Sequence, residues 1–325
     1  MSSPAPDSPA LDDTHAGAVP LRQLEPPPPP LFILGSPRSF TSLINGMLGQ
    51  HPQAYGMPEL NLFVTDTVRD LIEEFAGYRQ IQIHGLMRVV AQLYGAEQSL
   101  VSVDMAKRWM LTRLDHSTQD IYFELCERVA PLRVVDKSPV YSSKPEYLTR
   151  LMEAFPDAYF LHLLRHPRTQ GVSIMKIAKG MMAILSNSVD YSADPPVVDP
   201  QISWLDVQQN IVNALADVPA HRQMTLRGED VLNAPSSSLR KICRWLGLRT
   251  DDEALEAMMH PEDSPYASLG PLGAHLGNDI NYLRSPALRH ARIRPSSLDG
   301  PLPWRQDDVG FSDEVRAMAE RFGYS

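Results

Sequence analysis

Eight residues carry the first chemistry in this chain: Gly35-Ser-Pro-Arg-Ser-Phe-Thr-Ser42. They follow the apolar run Leu31–Leu34 and lead into the helical spacing of Leu43, Ile44, Met47 and Leu48, with Gly49 as a stop. Hydroxyls and a guanidinium beside the free N–H groups of a helix N-terminus make an anion site. The commonest such loop, G-x-x-x-x-G-K-[ST], needs a Lys for the β/γ-phosphates. Here Phe40 replaces its second Gly and Thr41 replaces its Lys. Arg38, inside the loop, suits a compact oxyanion such as sulfate on phosphate. The plain alternative is an ordinary strand–helix turn with an exposed Arg.

Further charged residues fall at expected strand ends. Lys137 and Ser138-Pro139 follow the short strand Leu132–Asp136, and Arg165-His-Pro-Arg168 follows the longer Ala158–Leu164. The carboxyl edge of an open α/β sheet is where ligands bind, which weakens the reading of Lys137 and Arg165 as surface charges. Ser173 lies eight residues past Arg165 on the helix that follows. Glu59, after Pro58, is either a general base or a helix-N-terminal Glu favoured by the dipole.

The elements that must hold these residues alternate strand and helix. The expected fold is α/β, a mainly parallel, P-loop-like sheet with helices on both faces. Asn61 to Arg128 reads as mostly helical with breaks near Gly77, Gly95 and Ser102, and Lys107, Arg108 and Arg113 read as a solvated face. One helix is expected from Pro167 to Leu185, with Met175, Met181 and Met182 as core. Val189–Pro200 reads as loop, Gln223–Arg227 as a strand, and Ser236–Leu246 as a helix capped by Gly247. Arg284, Arg289, Arg292 and Arg294 read as solvated. Residues 1–30 read as a disordered, Pro-rich tail, extended like polyproline II near Pro26–Pro30, and 31–325 as a single domain.

A formal charge of −9 argues against nonspecific nucleic-acid binding. No apolar run spans a membrane and no secretory signal is visible, so a cytoplasmic protein is expected. Two cysteines, Cys126 and Cys243, offer neither a disulfide framework nor a metal set, and no metal is expected.

The loop, Glu59, Asp136-Lys-Ser-Pro139 and Leu164-Arg-His-Pro-Arg168 with Ser173 together resemble the sulfotransferases that use 3′-phosphoadenosine 5′-phosphosulfate (PAPS). The branch that includes tyrosylprotein sulfotransferases and bacterial polyketide-synthase sulfotransferase domains is the most similar. Leu226-Arg-Gly-Glu-Asp-Val231, Leu246-Gly247 and the ending Phe322-Gly-Tyr324 support the resemblance, which runs from Leu31 to the C-terminus. It implies that Pro37, Arg38, Ser39, Phe40, Thr41 and Ser42 hold the 5′-phosphosulfate. It implies that Arg165 and Ser173 hold the 3′-phosphate, that Glu59 is the base, and that Arg38 and Lys137 neutralise charge. The implied acceptor is a hydroxyl on a small or carrier-borne metabolite, with a carrier protein as partner. Two departures stand out: Phe40 where relatives usually have Gly, and Gly228 where many have Tyr. Arg292, Arg294 and Ser297 are candidates for the loop covering the nucleotide. The competing functions are a nucleotide kinase or NTPase, against which the missing loop Lys speaks, and a non-catalytic nucleotide-binding module.

Overall fold

The structure, a computed structural model, describes residues 26–289 and 292–325; the expectation for residues 1–25 lies outside the described residues. Its strands are β1 Leu31–Leu34, β2 Ala54–Gly56, β3 Arg133–Asp136, β4 Tyr159–Leu164, β5 Val189–Asp190, β6 Val197–Val198 and β7 Gln223–Arg227. Five form one sheet in the order β2-β3-β1-β4-β7, every pair parallel. β1 is central because all four of its residues can be buried. Its side chains alternate between two cores. Phe32 and Leu34 face one built around Phe63, Tyr122 and Phe155, while Leu31 and Ile33 face another with Ile44, Met47 and Ile242.

Helices α2 Val68–Glu74, α3 His84–Gly95, α4 Leu100–Leu111, α5 Thr118–Val129, α6 Pro145–Ala154 and α9 Gln201–Leu215 cover the Phe32 face. The Ile33 face is covered by α1 Thr41–Gly49, α10 Gly228–Asn233, α11 Pro235–Leu246 and α12 Asp252–Ala257. α7 Pro167–Met175 and α13 Ile280–Arg284 reach the loop after β1, Ser173 of α7 and Asp279 at the cap of α13 both meeting Arg38; α8 Met181–Leu185 packs on α7, and α14 Asp313–Arg321 packs with Trp204 and Leu164 in a third cluster. The fold is thus the expected α/β, P-loop-like sheet wrapped on both faces. After β1 the chain builds the sheet first on one side and then on the other, so a crevice opens at the carboxyl end of β1, between β3 and β4.

Several expectations need correction. Ser102 does not break a helix; it sits inside α4 and closes a capping box with Ser99. Arg113 is not simply solvated: it binds both oxygens of Glu124 and lies 4.0 Å from the Trp109 ring. The helix after Pro167 stops at Met175, where Lys179 (φ 55°) and Gly180 (φ 87°) turn left-handed. Met181 is therefore half-exposed rather than core. Val189–Pro200 contains the small antiparallel pair β5–β6. At the Pro-rich end, the Pro30 carbonyl accepts from Tyr159 N–H and that of Pro29 from Arg133, so these last prolines are docked against the sheet.

Candidate active site

The loop after β1 turns where only glycine fits: a Cβ on Gly35 would lie 2.5 Å from the Leu163 carbonyl oxygen. Arg38 (φ 69°) and Phe40 (φ 62°) then take left-handed conformations that cost non-glycine residues energy. Side chains from three other elements hold the loop. Gln170 donates to the Pro37 carbonyl at 3.0 Å, Gln208 to Ser36 Oγ at 2.8 Å, and Arg165 Nη1 to the Arg38 carbonyl at 2.6 Å. No side chain caps α1 at Phe40, so its first N–H groups face the crevice without a capping partner. Ser39 is fully buried, and its Oγ has no hydrogen-bond partner among the described residues. Thr41 and Ser42 are buried beside it.

Arg38 Nε donates to Ser173 Oγ at 3.1 Å, and the guanidinium is paired with Asp279. Arg165 donates to Thr169 Oγ1 at 3.1 Å and lies 4.4 Å over the Phe40 ring. Arg165 and Ser173, expected to share one ligand, both reach Arg38, one bonding its carbonyl and the other its side chain. Burial lowers the Arg165 pKa to about 10, which leaves it charged at neutral pH.

Lys137 is fully buried at the end of β3 and bonds Glu59 Oε1 at 2.5 Å. Burial pushes the Lys137 pKa down, and the Glu59 charge opposes that. Glu59 lies on the irregular segment between β2 and the 3₁₀ turn Leu62–Val64, with its N–H donated to Gly277 O at 2.8 Å. It heads no helix, which removes the dipole explanation for a Glu here. Arg38 lies within coulombic reach of both: the Glu59 charge raises the Arg38 pKa against its burial, and Arg38 lowers that of Lys137. Four segments far apart in sequence thus place three cations and a carboxylate at one sheet edge.

Some contributors were not visible in the sequence. Asp279 had no motif around it. Arg168 was inside a motif but had no assigned work; it donates to the carbonyls of Ser297, Asp299, Gly300 and Pro301 and so shapes the C-terminal loop. Arg294 and Ser296 of the preceding stretch line a cleft of about 130 Å³ with His166, Thr169 and Tyr324. Arg292 is exposed, and Ser297 enters through its carbonyl. The two departures prove to be neighbours: a Cβ on Gly228 would lie 2.6 Å from Phe40 Cδ2. The histidines near the strand ends are tied elsewhere, His51 to Arg249 O, His162 to Gln208 and His166 to Arg168 N.

A parallel, P-loop-like α/β sheet with an Arg-bearing loop after its central strand defines the class of fold. Within it the assignment is direct: the model of the Sulfotransferase family matches residues 29–252, and the chain belongs to that family. No curated protein matches it by sequence search. Among solved structures it is similar to the sulfotransferase domain from the Synechococcus PCC 7002 olefin synthase, with a TM-score of 0.70 at 24% identity over 94% of this chain and 99% of that one. The sulfotransferase domain from the curacin biosynthetic pathway is also similar, with a TM-score of 0.67 at 22% identity over 92% and 98%. At these identities the likeness is one of fold. No helix among the described residues is long and apolar enough to cross a membrane.

Proposed function

We propose that residues 31–325 form one PAPS-dependent sulfotransferase domain, which moves the sulfuryl group to a hydroxyl of a small or carrier-bound metabolite. The observation that carries this reading is the meeting of Glu59, Lys137 and Arg38 at the carboxyl edge of the sheet. The loop fits a nucleotide bearing phosphate and sulfate. The uncapped N-terminus of α1 and the orphaned Ser39 hydroxyl offer donors, and Arg38, Lys137 and Arg165 offer positive charge. Pro37 to Ser42 would hold the 5′-phosphosulfate, and Arg165 with Ser173 the 3′-phosphate. PAPS supplies the activated sulfuryl group.

The chain's own work is positioning and charge neutralisation, as in phosphoryl transfer. Glu59 accepts the acceptor's hydroxyl proton on its carboxylate. Lys137 holds that carboxylate in place and, together with Arg38, offsets negative charge on the transferred group and on the leaving phosphate. The two similar domains come from a biosynthetic pathway and an olefin synthase, which favours a metabolite acceptor, with a carrier protein as the fitting partner. Two free, buried cysteines fit a cytoplasmic location. The test is a thermal-shift panel of PAP (the desulfated product), magnesium-ATP and NAD. PAP alone should raise the melting temperature by mass action. A larger shift with magnesium-ATP would support a kinase or NTPase instead.

A further inference from the structure

Behind the Glu59–Lys137 pair lies a buried carboxylate that the transfer itself does not use. Asp136, the last residue of β3, is 1% exposed. Ser138 Oγ donates to its Oδ1 at 2.9 Å, and the Tyr141 hydroxyl to its Oδ2 at 3.3 Å. Both hydroxyl oxygens also accept backbone N–H groups. Ser138 Oγ takes those of Leu60 at 3.0 Å and Asn61 at 3.2 Å, and the Tyr141 oxygen takes that of Leu62 at 3.0 Å. The three residues directly after Glu59 are thus tied through two hydroxyls to one carboxylate.

We propose that Asp136 is a positioning residue: through Ser138 and Tyr141 it fixes the Leu60–Leu62 backbone and so sets where the Glu59 carboxylate stands. This rests on Glu59 being the base. The direction of the bonds demands an ionised Asp136. A hydroxyl that donates its one proton to the carboxylate orients its lone pairs toward the backbone N–H groups. A protonated Asp136 must itself donate to one hydroxyl, and that hydroxyl's proton then loses its acceptor. Burial works the other way and raises the Asp136 pKa to about 7, the two hydroxyls and Lys137 opposing it. The groups facing it are Lys137 and Tyr141 on its own segment, Glu59 from the segment after β2, and Tyr122 and Cys126 from α5. Burial raises the pKa of Tyr122, Tyr141 and Cys126 above their ordinary values, so these three stay neutral near neutrality. A one-proton loosening of the base is expected as pH falls through about 7.

The experiment compares wild type, Asp136→Asn, Ser138→Ala and Glu59→Gln for PAPS-dependent sulfation of a β-hydroxyacyl pantetheine thioester between pH 5.5 and 8.5, with PAP affinity measured alongside. Expected is a fall in kcat of about tenfold to a hundredfold in Asp136→Asn, the scale of a misplaced catalytic group. The acid limb near neutrality should be lost and PAP affinity unchanged. Ser138→Ala should lower kcat in the same way, and it decides the matter should Asp136→Asn fail to fold. Wild-type kcat and pH profile in a folded Asp136→Asn, or full activity in Ser138→Ala, would overturn the proposal while leaving Glu59 as the base. Full activity in Glu59→Gln would instead remove the reading on which it rests.

Discussion

Phe40 and Gly228 occupy one space. The Phe40 ring lies where a side chain on residue 228 would have to go, and the Arg165 guanidinium lies over the same ring. A Phe in the loop and a Gly after β7, far apart in sequence, fill one space between them. Gly228→Ala should therefore destabilise the chain by about 1–3 kcal/mol, the usual scale of overpacking. Phe40→Ala combined with Gly228→Ala should cost less than the sum of the two single changes. Denaturant unfolding of the four proteins checks this, and strict additivity would show that the ring and residue 228 do not compete.

Arg165→Ala and Ser173→Ala should each weaken PAP binding by about 1.5–3 kcal/mol, the value of a hydrogen bond to a charged group. Unchanged affinity in both variants would show that the 3′-phosphate is held elsewhere. Calorimetric titration with PAP measures both.

Asp279 competes with any bound anion for Arg38. Its carboxylate also caps α13, accepting from the N–H groups of Asn281 and Tyr282. Asp279→Asn keeps a good cap and removes the charge. PAP affinity should rise, on the scale of a partly exposed ion pair, about 0.2–1 kcal/mol, and less so at high salt. Weaker PAP binding in the folded variant would show that Asp279 supports the anion site instead.

Stability should fall on acidification from about pH 6.5 to 4. Burial lowers the pKa of His84, His162 and His166 to about 4, against an ordinary 6.5. In that window the unfolded chain binds the extra protons, so each histidine contributes stability above its ordinary pKa that is lost toward its folded one. Asp136, raised to about 7 from 3.8, works oppositely in this window, whereas the exposed His260, held up by Glu262 and Glu256, changes stability only above its ordinary 6.5. Three buried histidines outweigh the one carboxyl. Thermal unfolding across the window reads the sign, and a midpoint that rises toward pH 4 would contradict it.

The sequence carried much of this because its signals were local. An apolar run, a glycine and a helical spacing defined β1, the loop and α1, and strand-end placement marked Lys137 and Arg165. What stayed hidden depends on distance. The Arg38–Asp279 pair joins residues 241 positions apart (279 − 38). The Phe40–Gly228 contact, likewise, becomes visible only when β1 and β7 flank β4. The helix after Pro167 was drawn too long because apolar spacing continues through Met181–Leu185, while the left-handed turn at Lys179 and Gly180 leaves no such periodic trace.

The central claim is that Glu59 takes the acceptor's proton. A positioned base contributes about a hundredfold to ten-thousandfold in rate. Glu59→Gln keeps the shape of the side chain and can still meet Lys137 through its amide oxygen. The direct measurement is kcat for PAPS-dependent sulfation by Glu59→Gln beside wild type, with PAP affinity on the same samples. Turnover should fall by that factor while PAP affinity stays within about twofold, a difference well under 1 kcal/mol. Full turnover by Glu59→Gln on any accepted hydroxyl would contradict the account and return the search for the base to His51, His162 and His166.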